Sequence, residues 1–405
     1  MRVARPRNSV MIVALIVAAA VIGAGGGVAV GLLGQAPSTS PPSPSPSDAA
    51  PTPSPTSQPT PSPSPTPAPT PTPSPTPEPT PVLVPAPLTG ELVTPDQAAQ
   101  HVVAVMIGDN VDARPQSGLS EASIVWQAPA EGGIPRYMAV FQETMPTSVG
   151  PIRSARQYFI EWAAQWRAVY VHVGGSPQAL TTLRTKGRGQ LVFNADEFRW
   201  GGTYIWRIKE RRAPNNTYTD GPNLRKLTRA LDASDGAIEP AWAFGPDTLL
   251  ERRPIGGTIQ FAYGTSRISY AYDNRSNSYV RSVPRASPQV DPATDEVIAP
   301  KNVVVMLVSF GPLNDGHPEK KRLEANVVGS GVAWIATNGH TLKGTWRKKS
   351  VTDPIRFLDA AGKPVTLTVG QTFINVMPKG TKITIKDGTV EIPIMPVPGD
   401  GRAEF

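Results

Sequence analysis

One tract decides how this chain can be organised. From residue 36 to 87 it is almost entirely Pro, Ser, Thr and Ala, as in "PSPSPTPAPTPTPSPTPEPTP". Such a composition offers too little apolar surface to offset the entropy of ordering a chain. Residues 35–88 are therefore expected as a disordered linker. Proline biases it toward the extended polyproline form, at ~3.1 Å per residue, so about fifty residues reach on the order of 150 Å. The density of Ser and Thr also resembles O-glycosylated stalks.

The tract separates two unlike segments. Before it, Arg2, Arg5 and Arg7 precede an uncharged run from Val10 to Gly34. That length suits a bilayer span, and the basic flank puts residues 1–9 on the cytoplasmic side. The rival reading is a cleaved signal peptide. The run is long for one, and proline crowds any cleavage site, so a signal-anchor over 10–34 is expected. The membrane is then a partner through this helix, and the protein is a single-pass protein of the cell membrane with extracytoplasmic folded domains.

The chain contains no cysteine. Disulfides, thiolate metal sites and a lipid-modified N-terminal cysteine are all excluded. The net charge of +7 is uneven: residues 91–250 hold 16 basic and 16 acidic side chains, and residues 251–405 hold 20 and 14. An excess of 20 − 14 = 6 in the C-terminal half suits anionic envelope polymers or lipid headgroups. Nucleic acid is not an expected partner for a tethered extracytoplasmic chain.

Residues 95–250 read as an α/β domain with a mixed sheet. "HVVAVMIG" (101–108) is an apolar strand. Residues 123–143 form two strands around a turn at Glu131-Gly132-Gly133. A helix is expected over 151–167, a strand over 168–175, and a helix over 176–187 with Ser176 as N-cap and Pro177 behind it. A strand at 190–194 and a helix at 219–231 follow. Residues 255–400 read as a mostly antiparallel β domain, with hairpin turns at Asp273-Asn274 and Asn338-Gly339.

The stretch "VGPIRSARQYF" (149–159) points to chemistry. As a helix start it places Arg153 and Arg156 at the positive end of the dipole, where cations are disfavoured. On a wheel Arg156 falls inside the apolar stripe of Ile152, Ala155, Phe159, Ala163 and Trp166, and Arg153 on its edge. A buried guanidinium needs an anion or carbonyls around it. Either an internal acid holds Arg156, with Asp109, Asp112, Glu131 and Glu143 as candidates, or the arginines form an anion site. If strands 136–142 and 168–173 are parallel neighbours, both helix starts share one sheet edge with the turn Gly174-Gly175-Ser176.

His172 ends the second of those strands and is the histidine placed for acid–base work. Arg211, Arg212, Asn215, Asn216 and Tyr218 suit a pocket rim. Asp109, Asp112 and Glu131 could serve as paired acids for hydrolysis. Asp315 and His317 do not make a metal site. No P-loop, zinc-ligand spacing or dinucleotide fingerprint is present, so neither a cofactor nor a metal is expected.

The blocks "ARPQSGL", "EGGI-R", "GPIRSAR" and "GGSP", with "YDNRSNSYVR", "NGHTLKGTW" and "GKPVTLTVGQTFINV" further on, resemble the YerB-like family. These are bacterial lipoproteins built on a domain of unknown function, and the likeness covers most of 95–400. The resemblance implies a two-part extracytoplasmic protein and brings no established reaction. This chain departs from the family by replacing the lipid-modified cysteine with an apolar helix and a stalk. The expected function is binding of an anionic cell-envelope ligand. Alternatives are a hydrolase acting on envelope glycan and a scaffold for a protein partner.

Overall fold

The computed structural model describes residues 82–390. The apolar run at 10–34 and the linker up to residue 81 lie outside the described residues. Among those described, no helix is long and apolar enough to cross a membrane. Ordered structure begins inside the tract assigned to the linker. Val84–Pro85 pairs with Leu92–Val93, and Ala86 and Leu88 are buried. The apolar "VLVPAPL" end of the tract has surface to bury, which the Ser/Thr-rich part lacks.

The first strands are β1 (Val103–Gly108), β2 (Ile124–Glu131) and β3 (Ile134–Phe141). The β2–β3 turn uses Gly132 and Gly133 at φ of 57° and 80°, values that favour glycine. Then come α1 (Gln157–Ala163), β4 (Val169–His172), α2 (Pro177–Lys186), β5 (Phe193–Asp196) and α3 (Gly221–Ala230). Ser176 Oγ caps α2 by accepting from the Ala179 N–H. The second half supplies β6 (Ile255–Tyr263), β7 (Ser266–Asp273), β8 (Ser278–Ser282), β9 (Asn302–Pro312) and β10 (Leu323–Asn326). It continues with β11 (Gly329–Thr337), β12 (His340–Lys348), β13 (Arg356–Leu358), β14 (Thr372–Pro378) and β15 (Thr384–Thr389).

An eleven-stranded sheet runs through both halves in the order β13-β12-β11-β9-β14-β2-β3-β1-β4-β5, with β10 also on β9. The seam is the parallel pair β14–β2, with Thr372 opposite Ile124 and Asn375 opposite Gln127. β14 is parallel to β9 as well. The second half is mostly antiparallel, as expected, with β14 a parallel exception, and five of its strands with β10 extend the first half's sheet. β8, β7, β6 and β15 form a separate four-stranded antiparallel sheet.

The period-2 alternation of the strands serves two cores. Ala104 and Met106 of β1 join Trp126, Phe159, Trp162 and Leu183 beneath α1 and α2. Val103, Val105 and Ile107 face the other way, with Phe141, Leu224, Leu227, Phe261 and Tyr270, beneath α3 and the smaller sheet. The central strands of the large sheet, β1 to β4 with β14, are buried on both faces, whereas β12 and β13 at its edge are partly exposed.

The expected helix over 151–167 starts at Gln157, with Arg156 as its extended N-cap residue. Residues 149–155 are extended instead. Val149 pairs with Thr219, Ile152 with Ile107, and Ala155 with Gly175. The Ile152 N–H donates to Thr217 O at 2.7 Å and the Arg153 N–H to Met106 O at 2.8 Å. With these backbone groups satisfied by neighbouring segments, local helix has nothing to offer them. The wheel consequently fails for its first residues: Ile152 lies in one core, Ala155 and Phe159 in the other.

Candidate functional site

The assumption that strands 136–142 and 168–173 are parallel neighbours is also overturned. Both pair with β1, β3 antiparallel and β4 parallel. Phe141 therefore ends beside Val103, at the start of β1, and Arg136 begins beside Gly108 at its end. The sheet edge nevertheless gathers the "GPIRSAR" segment and the Gly174 turn, because residues 149–155 cross back over the ends of β1 and β4. The Ala155 N–H donates to Gly174 O at 2.9 Å, the Val173 N–H to Arg153 O at 3.1 Å and the Ser176 N–H to Ala155 O at 3.2 Å. The Gly174 N–H goes to Asp196 Oδ1 at 3.2 Å. The Gly174 and Ser176 donors are thus already used within the protein and do not form an open anion nest.

The two arginines of this segment differ. Arg156 is buried and its Nη2 closes on Glu131 Oε1. Arg136, also buried, reaches the other oxygen of that carboxylate, with Nη1 2.9 Å from Oε2. Burial lowers both guanidinium pKa values to about 10, which leaves them charged at neutral pH. Of the four candidate acids, Glu131 is the one that holds Arg156. Asp109 pairs with Arg114, Glu143 accepts from Thr89 Oγ1, and Asp112 lies exposed on a 3-10 turn. Arg153 lays its stem over Gly108, where a Cβ would lie 2.7 Å from Arg153 Cγ. Its Nη1 donates to Pro214 O at 3.3 Å, and its Nε is buried without a partner.

Asp109 sits in a second closed cluster. Oδ1 accepts from Arg114 Nε at 3.0 Å and Gln116 Nε2 at 3.1 Å, and Oδ2 from Gln127 Nε2 at 2.6 Å. Gln127 in turn accepts from the wholly buried Arg281, whose Nε also donates to Tyr270 Oη. Burial raises the Asp109 carboxyl, with Arg114 and Arg281 pulling it back down. No oxygen of Asp109 faces a space where a substrate could sit.

His172 is buried with Nδ1 2.8 Å from Gly174 O and Nε2 2.7 Å from Asn194 Oδ1. A carbonyl at Nδ1 fixes the proton there, so Nε2 meets the Asn194 side-chain amide, whose two ends interchange by rotation. Neither nitrogen is left for acid–base work. Arg211 is committed to structure. It donates to the carbonyls of Asp112, Ala113, Arg114 and Pro115 and to Tyr218 Oη. Arg212 is exposed, and Asn215 is buried with an unpartnered Oδ1.

An open basic cavity lies elsewhere. About 700 Å³ in volume, it runs beside the edge strand β5 and the C-terminal ends of α2 and α3. Arg167, Arg184, Arg188 and Arg199 line it, against one acid, Asp232. None of the four pairs with a carboxylate among the described residues. Arg167 Nε donates to Gly189 O at 2.7 Å, and Arg199 stacks over Trp200 at 4.7 Å. Among the described residues no group of acids and histidines could hold a metal.

Residues 88–234 match the profile "Protein of unknown function (DUF3048) N-terminal domain", and residues 258–374 match the corresponding C-terminal domain. The chain belongs to the DUF3048 family. A relative from Bacillus subtilis (strain 168), named "Putative lipoprotein YerB", is 29% identical over 317 residues, 75% of this chain and 89% of that protein. The crystal structure of YerB from Bacillus subtilis is similar at a TM-score of 0.65 and 27% identity, over 74% of this chain and 99% of that one. The YerB-like resemblance read from the motif blocks is thereby shown. The two DUF3048 parts correspond to the two halves that share the large sheet.

Sequence reasoning missed Arg136 and Arg281 in this DUF3048 protein, although both interrupt apolar strand patterns and were visible as such. It also missed the cavity arginines. They come from a loop, a helix end, a turn and a short helix, and only packing collects them.

Proposed function

We propose that this chain binds an anionic cell-envelope ligand through the cavity lined by Arg167, Arg184, Arg188 and Arg199. One observation carries the reading: four guanidinium groups face one open cavity with a single acid among them. Guanidinium groups suit phosphate and carboxylate oxygens, and clustered like charge focuses anions into a cleft. The groups are exposed, so each contact is modest and screened by salt. Binding strength would come from several anionic groups along one polymer. Arg153, Arg156 and the Gly174–Ser176 turn support the reading less, since their partners are internal.

The protein is proposed to work at the cell membrane, held by the run at 10–34 as a single pass with its folded part outside. The lipoprotein name of the relative and the basic flank support this. A hydrolase would need a pair of free carboxylates, whereas Asp109 and Glu131 are bound to arginines and leave the exposed Asp112 without a second acid of that set.

The test titrates full-length protein in detergent with long-chain inorganic polyphosphate and, separately, with vesicles rich in anionic lipid. Saturable binding that weakens with salt and with Arg188→Ala/Arg199→Ala is expected. Absence of saturable binding to either probe at low salt would sink the proposal.

A further inference from the structure

The arginine cavity is not the only built concavity. A groove of about 460 Å³ lies between α1, α2, the end of β9 and β10. Its walls come from both family halves: Gln157, Glu161 and Gln178 on one side, Phe310, Glu324 and Asn326 on the other. No lysine or arginine lines it. We propose that this groove binds a neutral, hydroxyl-rich ligand, a glycan chain.

The chemistry of the lining selects that class. A hydroxyl both donates and accepts, and the side-chain amides of Gln157, Gln178 and Asn326 do the same. Carboxylates accept from hydroxyls in short, strong bonds. With two acids and no lysine or arginine in its lining, the groove disfavours an anionic ligand, which sets it apart from the arginine cavity. Phe310 adds an apolar surface for the C–H face of a sugar ring. It is held by an edge-on contact with Tyr158, centroids 5.7 Å apart at 85°.

Part of the lining is already oriented. Gln157 Nε2 donates to Glu161 Oε1 at 2.9 Å, and Gln157 Oε1 accepts from Thr182 Oγ1 at 2.8 Å. Glu161 Oε2 has no protein donor among the described residues. Burial raises the Glu161 carboxyl, with Gln157 and Lys348 pulling the other way, so a donated hydroxyl would relieve it. Fixing Gln157 and Glu161 before binding reduces the ordering cost.

The experiment uses full-length protein in a zwitterionic detergent that carries no sugar. Chitotriose and cellotriose are titrated by calorimetry and by ligand-observed NMR. Saturable binding of at least one is expected, weakened at least roughly tenfold by Gln178→Ala/Asn326→Ala. Both residues are exposed, so the fold should survive their loss. Glu161→Gln, which keeps the shape, should weaken binding too. Polyphosphate binding should be unchanged in both variants, which separates this groove from the arginine cavity. The inference fails if neither sugar binds up to about 10 mM, or if binding is indifferent to these substitutions.

Discussion

Arg156 and Glu131 form a closed ion pair, and Glu131 gives its second oxygen to Arg136. One carboxylate thus serves two buried guanidinium groups, one from β3 and one from the start of α1. The pair ties the start of α1 to the β2–β3 hairpin and accounts for an arginine at a helix N-terminus without any ligand.

Removing that carboxylate should be costly. Glu131→Gln leaves two buried cations without an acid, and loss of one partner of a buried pair costs about 3–5 kcal/mol. Glu131 keeps some solvent contact, so the lower end, about 3 kcal/mol, is expected in urea denaturation. A loss below about 1 kcal/mol would show that the pair is weak.

Gly150 is required by closeness of packing. A Cβ there would lie 2.6 Å from Tyr218 Cδ1 and 2.8 Å from Thr217 O. Gly150→Ala should cost about 2 kcal/mol through overpacking and lower the melting temperature. An unchanged melting temperature would mean that residues 217–218 yield freely.

Arg211→Ala should act on the 111–115 turn, whose carbonyls it holds. Loss of several charge-assisted bonds is expected to cost about 2–3 kcal/mol. Hydrogen exchange should quicken at Ala113 and Arg114, whose N–H groups close that turn. If exchange there matches the wild type, Arg211 is not the clamp.

Lys348 gives a pH test. It is wholly buried, and its Nζ donates to Asp353 O. Burial pulls its pKa from 10.5 to about 8, against the opposing pull of Asp353 and Glu161. Between about pH 8 and 10.5 the unfolded chain therefore holds a proton that the folded chain has released, and stability rises with pH through that window. Lys348→Met lacks this term. Any stability advantage of the variant should be largest at neutral pH and shrink across the window, read from urea denaturation of both proteins. A gap independent of pH would refute the assignment.

Much of the fold was legible because local rules and tertiary structure agreed. Ser176-Pro177 starts α2 and Asp220 caps α3, as capping predicts. Asn338-Gly339 turns β11 into β12 with φ of 49° and 78°. The "GPIRSAR" segment was misread because its helical pattern was a coincidence of apolar residues that face two different cores.

The sequence by itself determined the Pro/Ser/Thr-rich composition of residues 36–87, the apolar run, the lack of cysteine and most strand and helix positions, since these depend on composition and on neighbours in the chain. Only the tertiary structure decided which acid meets Arg156, that one sheet joins both halves, and which arginines and amides line common cavities. Those are contacts between segments far apart in sequence. They are set by strand order and by burial on both faces of the central strands, neither of which has a local signature.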